Sequence, residues 1–202
     1  MPNRQSFKRA EKEGSIKISI LDSLLNGMIE MRKILIMVDE GVEDAEFLYP
    51  YYRFQEEGYK VVIVASKAKE TYAGKHGVPI KSEISAKEVK VDEYGALIIP
   101  GGRAPDKMRT DRDLVNIVKE AYRKGIVIAA ICHGPQMLIE ADILRGKKAT
   151  CWKSVATDLK NAGATFLDEP VVVDDKIVTS RMPADLPVFC KETIKLIEGS
   201  EV

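Results

Sequence analysis

The stretch IVIAAICHGPQMLIEADILRG, residues 126–146, changes its period halfway. Ile126 to Ile131 form a continuous apolar run, as expected of a strand covered on both faces. From Pro135 onward the apolar residues recur at helical spacing. Between the two stand Cys132, His133 and Gly134. A buried strand that hands over to a helix through so short a turn is one unit of a parallel sheet. A cysteine at that junction has two readings. It is a small core residue, or it is lifted on a sharp elbow where the helix N-terminus favours its thiolate. In the G-x-S-x-G elbow the small residues flank the nucleophile at two places on either side. Here those positions hold Ala130 and Gly134.

The same alternation runs through the rest of the chain. KILIMV (33–38), KVVIVAS (60–66) and GALIIPGG (95–102) read as further buried strands, and KAT, ATFL, VVVD and KIVTS as short ones. EDAEFLYPYYRFQEEG (43–58), DLVNIVKEAYRKG (113–125), SVATDLKNAG and PADLPVFCKETIKLIEG read as helices, the first kinked at Pro50. The pattern predicts an α/β fold, a doubly wound, mostly parallel sheet with helices on both faces. In such sheets the functional crevice lies at the carboxyl ends of the strands. Three suspicious turns fall there: DEGVEDAE after the first strand, PGGRAPD after the third and CHGPQ after the fourth.

Of 202 residues, 45% are apolar and 31% charged, which excludes a disordered chain. Lys plus Arg and Asp plus Glu each number 31, so the balance favours neither nucleic acid nor anionic lipid as partner. No run approaches the roughly 18 apolar residues of a membrane span. Residues 1–30 lack a continuous apolar segment and read as a disordered or amphipathic extension, with one domain over 31–202. Three cysteines without close pairing suit a reducing, cytoplasmic setting. With only two histidines, His76 and His133, neither a metal nor another cofactor is expected.

Each candidate in the crevice also has a bland reading. His133 can turn back toward the thiolate as ion-pair partner or general base, or simply begin a helix. Glu43, leaving the first strand, can share a proton with the sulfur; as a first-turn acid it stands beside Asp44 and Glu46. Asp106 can orient His133, or cap a short turn. Gly101 and Gly102, with the amide of His133, can form an oxyanion hole, although turns need glycine anyway. Trp152 is a pocket wall or a core aromatic.

ILIMVDEGVEDAEFLYP, GKHG (74–77), LIIPGGRAPD (97–106), AICHGPQMLIEADILRGKKAT (130–150), DLKNAGA and VVVDDKIVTSRMPADLP (171–187) together resemble the PfpI-type intracellular proteases. That group sits in a superfamily with the Parkinson-linked protein deglycase and the class I glutamine amidotransferase domains. The resemblance implies a flavodoxin-like fold, Cys132 as nucleophile, His133 as its partner and Glu43 as the carboxylate touching the sulfur. It also implies a hexamer built of dimers. In the family's proteases a glutamate in a GGRAPE turn of an adjoining subunit completes the triad; this chain has Asp106 there, one methylene shorter. Members described as deglycases or glyoxalases also carry this PD.

Three functions follow from that reading. The first is peptide hydrolysis by a cysteine nucleophile. The second is attack on glyoxal and methylglyoxal adducts of proteins and nucleotides, and the third is a stress-response binding protein or redox sensor using Cys132.

Overall fold

Five consecutive residues of KILIM alternate their side chains between two faces, and both faces are apolar, so a strand built from them must be covered on each side. This is what β1 (Lys33–Met37) does in the computed structural model, which describes residues 33–199. The expected extension over residues 1–30 lies outside the described residues. β2 (Lys60–Ala65), β6 (Ala96–Ile99), β7 (Val127–Ile131) and β11 (Ile177–Ser180) have the same composition and lie parallel to β1.

The main sheet has seven strands in the order β10-β11-β7-β6-β1-β2-β5. β5 (Ile84–Ser85) extends it in parallel at one edge, and β10 (Val171–Asp174) is antiparallel at the other. Its core, β2-β1-β6-β7-β11, is the flavodoxin-like order, in which the winding reverses between β1 and β6. β3 (Thr71–Ala73) pairs with β4 (Pro79–Lys81) as a separate hairpin, and β8 (Lys148–Ala149) with β9 (Thr165–Phe166).

Among the described residues, six α-helices accompany the sheet: α1 (Asp44–Glu56), α2 (Ala104–Met108), α3 (Arg112–Arg123), α4 (Pro135–Glu140), α5 (Ala156–Asn161) and α6 (Leu186–Glu198). α3 turns Leu114, Ile117, Val118 and Ala121 inward, the spacing read from sequence. Pro50 lies inside α1 without ending it. Its missing N–H costs one helical bond, and its ring is buried among the inward residues.

α4 departs from the sequence expectation. The pattern PQMLIEADILRG suggested three turns, yet the helix stops at Glu140. Asp142 takes the left-handed conformation at φ 54°, and the N–H groups of Asp142 and Ile143 return to the carbonyls of Ile139 and Leu138. This is a Schellman-type stop with aspartate where glycine is usual. Ile143 and Leu144 stay buried beyond the stop, which is why their apolar period reads as helix.

The switch between β1 and β6 brings together the loops that follow β1, β6 and β7. Val42 and Gly102 form an isolated bridge between two of these loops, reinforced by the Arg103 N–H bond to the Gly41 carbonyl at 2.8 Å. The third loop contains Cys132.

Candidate active site

Cys132 sits one residue past β7 with φ 61°, a left-handed conformation that a non-glycine residue rarely adopts. Its N–H bonds to the Ser180 carbonyl of β11, and its carbonyl accepts from the Trp152 N–H at 2.9 Å, so the elbow is held on both sides. Gly134 completes the turn. A Cβ on it would lie 2.2 Å from the Ile99 carbonyl oxygen, so only glycine lets the elbow pack against the end of β6. Cys132 is 8% exposed at the floor of a cavity of about 410 Å³. Cys151 and Cys190 are buried outside that cavity. Cys151 lies beyond the end of β8.

The carboxyl beside the sulfur belongs to Glu46. The assignment of Glu43 to this position is corrected: Glu43 is the N-cap residue of α1, and its carboxylate holds Lys75 Nζ at 2.8 Å and His76 Nε2 at 3.3 Å. Glu46, one turn further, has no solvent exposure. Its Oε2 accepts from the Gly101 N–H at 2.7 Å, while Oε1 has no partner of full hydrogen-bond geometry. Burial pushes this acid up to about 7, against the pull of the Gly101 N–H and the Cys132 thiol. Burial, and after it the charge of Glu46, pushes the Cys132 thiol well above the ordinary range, while the N–H groups of Gly102 and His133 draw it down.

The two groups therefore titrate as a pair. With the proton on Glu46, the charge repulsion on the thiol disappears, its burial remains, and the two amides are left to draw its pKa down.

The oxyanion donors are corrected in the same way. Gly101 gives its N–H to Glu46, so it is not available to substrate. A Cβ on Gly101 would lie 2.7 Å from both Glu46 Oε2 and the His133 nitrogen, so its role is to let three elements meet. The donors near the sulfur are the N–H groups of Gly102 and His133.

His133 turns back over the elbow, with Nδ1 3.3 Å from Cys132 Sγ. Burial, then the nearby Lys75 charge, lowers its pKa, so the imidazole is neutral at neutral pH. Its Nε2 meets Ser154 Oγ at 3.3 Å, a contact the sequence reading did not foresee. Asp106, expected to orient this ring or to cap a turn, does neither within the described chain. It is an exposed residue inside α2, whose N-cap is Arg103, and its side chain makes no hydrogen bond or ion pair among the described residues.

A serine hydroxyl can donate to Nε2 or accept from it, so Ser154 serves either imidazole tautomer. Ser154→Ala is expected to lower kcat about three- to tenfold with little change in KM, the worth of one hydrogen bond. Ser154→Thr should retain most of the rate. Steady-state kinetics of the two variants check this, since a purely structural role would not separate them.

Trp152 and Pro183 also line the cavity, as do Lys75, His76 and Arg103. Glu43, Asp44 and His76 approach one another closely enough to suggest a cation site. Asp44 is committed, however, to the N–H groups of His76 and Val78 at 2.8 and 3.0 Å, and the Lys75 ammonium already occupies Glu43.

Of the two residues that the sequence reading missed, one had a readable signal. Glu46, Pro50 and Phe54 recur every four residues, so Glu46 stands on the buried face of α1, where an unpaired acid is anomalous. Ser154 carries no such signal, because a separate turn delivers it.

Known proteins agree with this architecture. The model of the DJ-1/PfpI family matches residues 32–196. A protein of Escherichia coli named protein/nucleic acid deglycase 2 is 42% identical over 82% of this chain and 98% of its own length. A putative cysteine protease of Bacillus subtilis is 40% identical, over 83% and 99%. Among solved structures, a two-domain protein of Anabaena variabilis with DJ-1/ThiJ/PfpI-like and ferritin-like domains superposes with a TM-score of 0.80 at 43% identity. It covers 81% of this chain, and the chain spans 47% of that larger protein. DJ-1beta of Drosophila melanogaster gives a TM-score of 0.77 at 25% identity, over 84% of this chain and 92% of its own. With an elbow cysteine at the winding switch and a matching family model over most of its length, the chain belongs to the DJ-1/PfpI family.

Proposed function

We propose that the chain is a cysteine-dependent hydrolase whose preferred substrates are glyoxal and methylglyoxal adducts of amines. The observation that carries this is the sulfur of Cys132, held at φ 61° on the floor of a 410 Å³ cavity, with the Glu46 carboxyl and two backbone N–H groups around it. The thiolate attacks the carbonyl carbon, and the N–H groups of Gly102 and His133 receive the charge that develops on oxygen. Glu46 holds the proton taken from sulfur and returns it as the carbon–sulfur bond breaks. Neutral His133 stands 3.3 Å from that sulfur and assists proton transfer to the departing amine. For a methylglyoxal carbinolamine the balance is adduct plus water giving free amine plus lactate, with no external oxidant or reductant.

Peptide hydrolysis uses the same groups, and the Bacillus subtilis relative's name supports it as a second reading. The confined cavity, walled by Trp152 and Pro183, favours a small adduct over an extended peptide. Asp106 has a place in this proposal only through a neighbouring copy, as the third group on His133. The outer side of α1, with Tyr52 62% and Tyr49 39% exposed, supplies apolar surface that a dimer-based homo-oligomer would cover. The three free thiols fit a cytoplasmic reaction, and no described helix is long and apolar enough to cross a membrane.

One sample assayed in parallel against a methylglyoxal-modified N-acetyl amino acid and a fluorogenic peptide tests the reading. Lactate release with slow or absent peptide cleavage is expected. Rapid peptide cleavage without lactate would reverse the order of the two.

A further inference from the structure

Every charged group around the cavity except one has a partner or is neutral. Lys75 is neutralised by Glu43 at 2.8 Å, and His76 leans on the same carboxylate. Glu46 is uncharged for much of the time near neutral pH, and His133 is neutral there. Arg103 lines the cavity, and its side chain has no hydrogen bond or ion pair among the described residues. The uncompensated charge at this mouth is therefore a single guanidinium.

The stem of Arg103 is seated. A Cβ on Gly41 would come within 3.0 Å of Arg103 Nε and 3.1 Å of its Cβ, so the bare backbone of Gly41, at φ 80°, is what lets the side chain lie across the first loop. The Arg103 N–H bonds to the Gly41 carbonyl, and the neighbouring Gly102 bridges to Val42. The side chain thus departs from a backbone fixed to the same loops that carry Glu46 and the oxyanion donors. A guanidinium matches the two oxygens of a carboxylate or phosphate in a planar, two-bond geometry.

We propose that Arg103 is a specificity-determining residue that selects substrates carrying an oxyanion, a carboxylate or phosphate, next to the carbon attacked by Cys132. The inference rests on Cys132 being the nucleophile, and it sharpens the substrate class to anionic adducts, such as those on amino acids or nucleotides. A neutral dicarbonyl would meet the same thiolate without this contact.

Iodoacetate and iodoacetamide provide the test, because they differ in charge and little in shape. Each forms a sulfur–carbon bond at the thiolate and releases iodide. The rate constant for Cys132 with each reagent is measured at pH 7 by mass spectrometry, in the parent, in Arg103→Gln and in Arg103→Lys. The ratio of iodoacetate to iodoacetamide rates is expected to fall about fivefold in Arg103→Gln, the size of an exposed charge contact. It should recover in part in Arg103→Lys, and added salt should compress the parental ratio. Taking the ratio within each protein removes any general change in sulfur reactivity. Protection of the parent against iodoacetamide by millimolar acetate or by phosphate separates a carboxylate-preferring site from a phosphate-preferring one. An equal ratio in parent and Arg103→Gln overturns the proposal while leaving Cys132 as nucleophile. Failure of both reagents to label Cys132 would instead overturn the hydrolase reading beneath it.

Discussion

Cys132→Ala is expected to abolish turnover, with a loss of at least about a thousandfold in kcat, while leaving the fold intact. Among the residues lining the cavity, the sulfur is the group suited to form the covalent bond on which this chemistry depends; the Lys75 ammonium is held by Glu43, and His133 faces the sulfur. The fold should survive, because alanine removes one buried sulfur whose main-chain bonds to Ser180 and Trp152 remain. Some left-handed strain persists at residue 132 with either side chain. Circular dichroism and thermal melting beside the lactate assay check both halves. Cys132→Ser keeps the geometry and should be nearly as inactive, since an alcohol is far harder to ionise than a thiol.

Glu46→Gln should cost about a hundredfold or more in kcat/KM, the usual range for losing a positioned acid–base group. Glutamine preserves shape and can still accept from Gly101 through its carbonyl. It cannot hold the proton that the thiol must give up. Its effect on stability should have the opposite sign. The folded-state value of about 7 lies above the ordinary 4.5, so the native protein binds this proton more tightly than the unfolded chain does. The stabilisation is fully present below pH 4.5 and is lost as pH rises through 7, by about 3 kcal/mol in all. The parent should therefore lose stability over that window through Glu46, and Glu46→Gln should not. Denaturant midpoints at pH 4.5, 6 and 7.5 measure the difference. Glu43→Gln, by contrast, breaks the ion pair with Lys75 and leaves the sulfur's own partner in place.

The sheet was legible in the sequence because each strand is a short apolar run followed by a helical period, and the two periods cannot be confused over ten or more residues. The elbow was legible for a related reason: Cys132, Gly134 and Pro135 in three of four positions are unlike either flank. Which carboxylate meets the sulfur was harder. Residues 43, 44 and 46 are all acids in one turn, and a difference of three positions brings a helical side chain back to within about 60° of the same face. Burial decided between them, and burial is set by β6 and its Gly101 turn. Ser154 reaches His133 from a turn twenty-one residues on, beyond any local pattern. The end of α4 was misread because Ile143 and Leu144 continue the apolar period after Asp142 has left the helix. The availability of Gly101 was misread because a glycine pair says that backbone comes close, and not which N–H is already taken.

The proton shared by Cys132 and Glu46 underlies the whole mechanism, and its most direct measure is the rate of Cys132 alkylation by iodoacetamide from pH 4 to 10, in the parent and in Glu46→Gln. For the parent, the rate should rise through an inflection near 7, where the pair loses its first proton, and then level off. For Glu46→Gln the inflection should move up into or beyond the ordinary thiol range of about 8.5, with a correspondingly slower reaction at pH 7. A parent that shows one inflection near 8.5, unchanged by Glu46→Gln, would contradict the shared proton and leave Glu46 as a structural partner of Gly101.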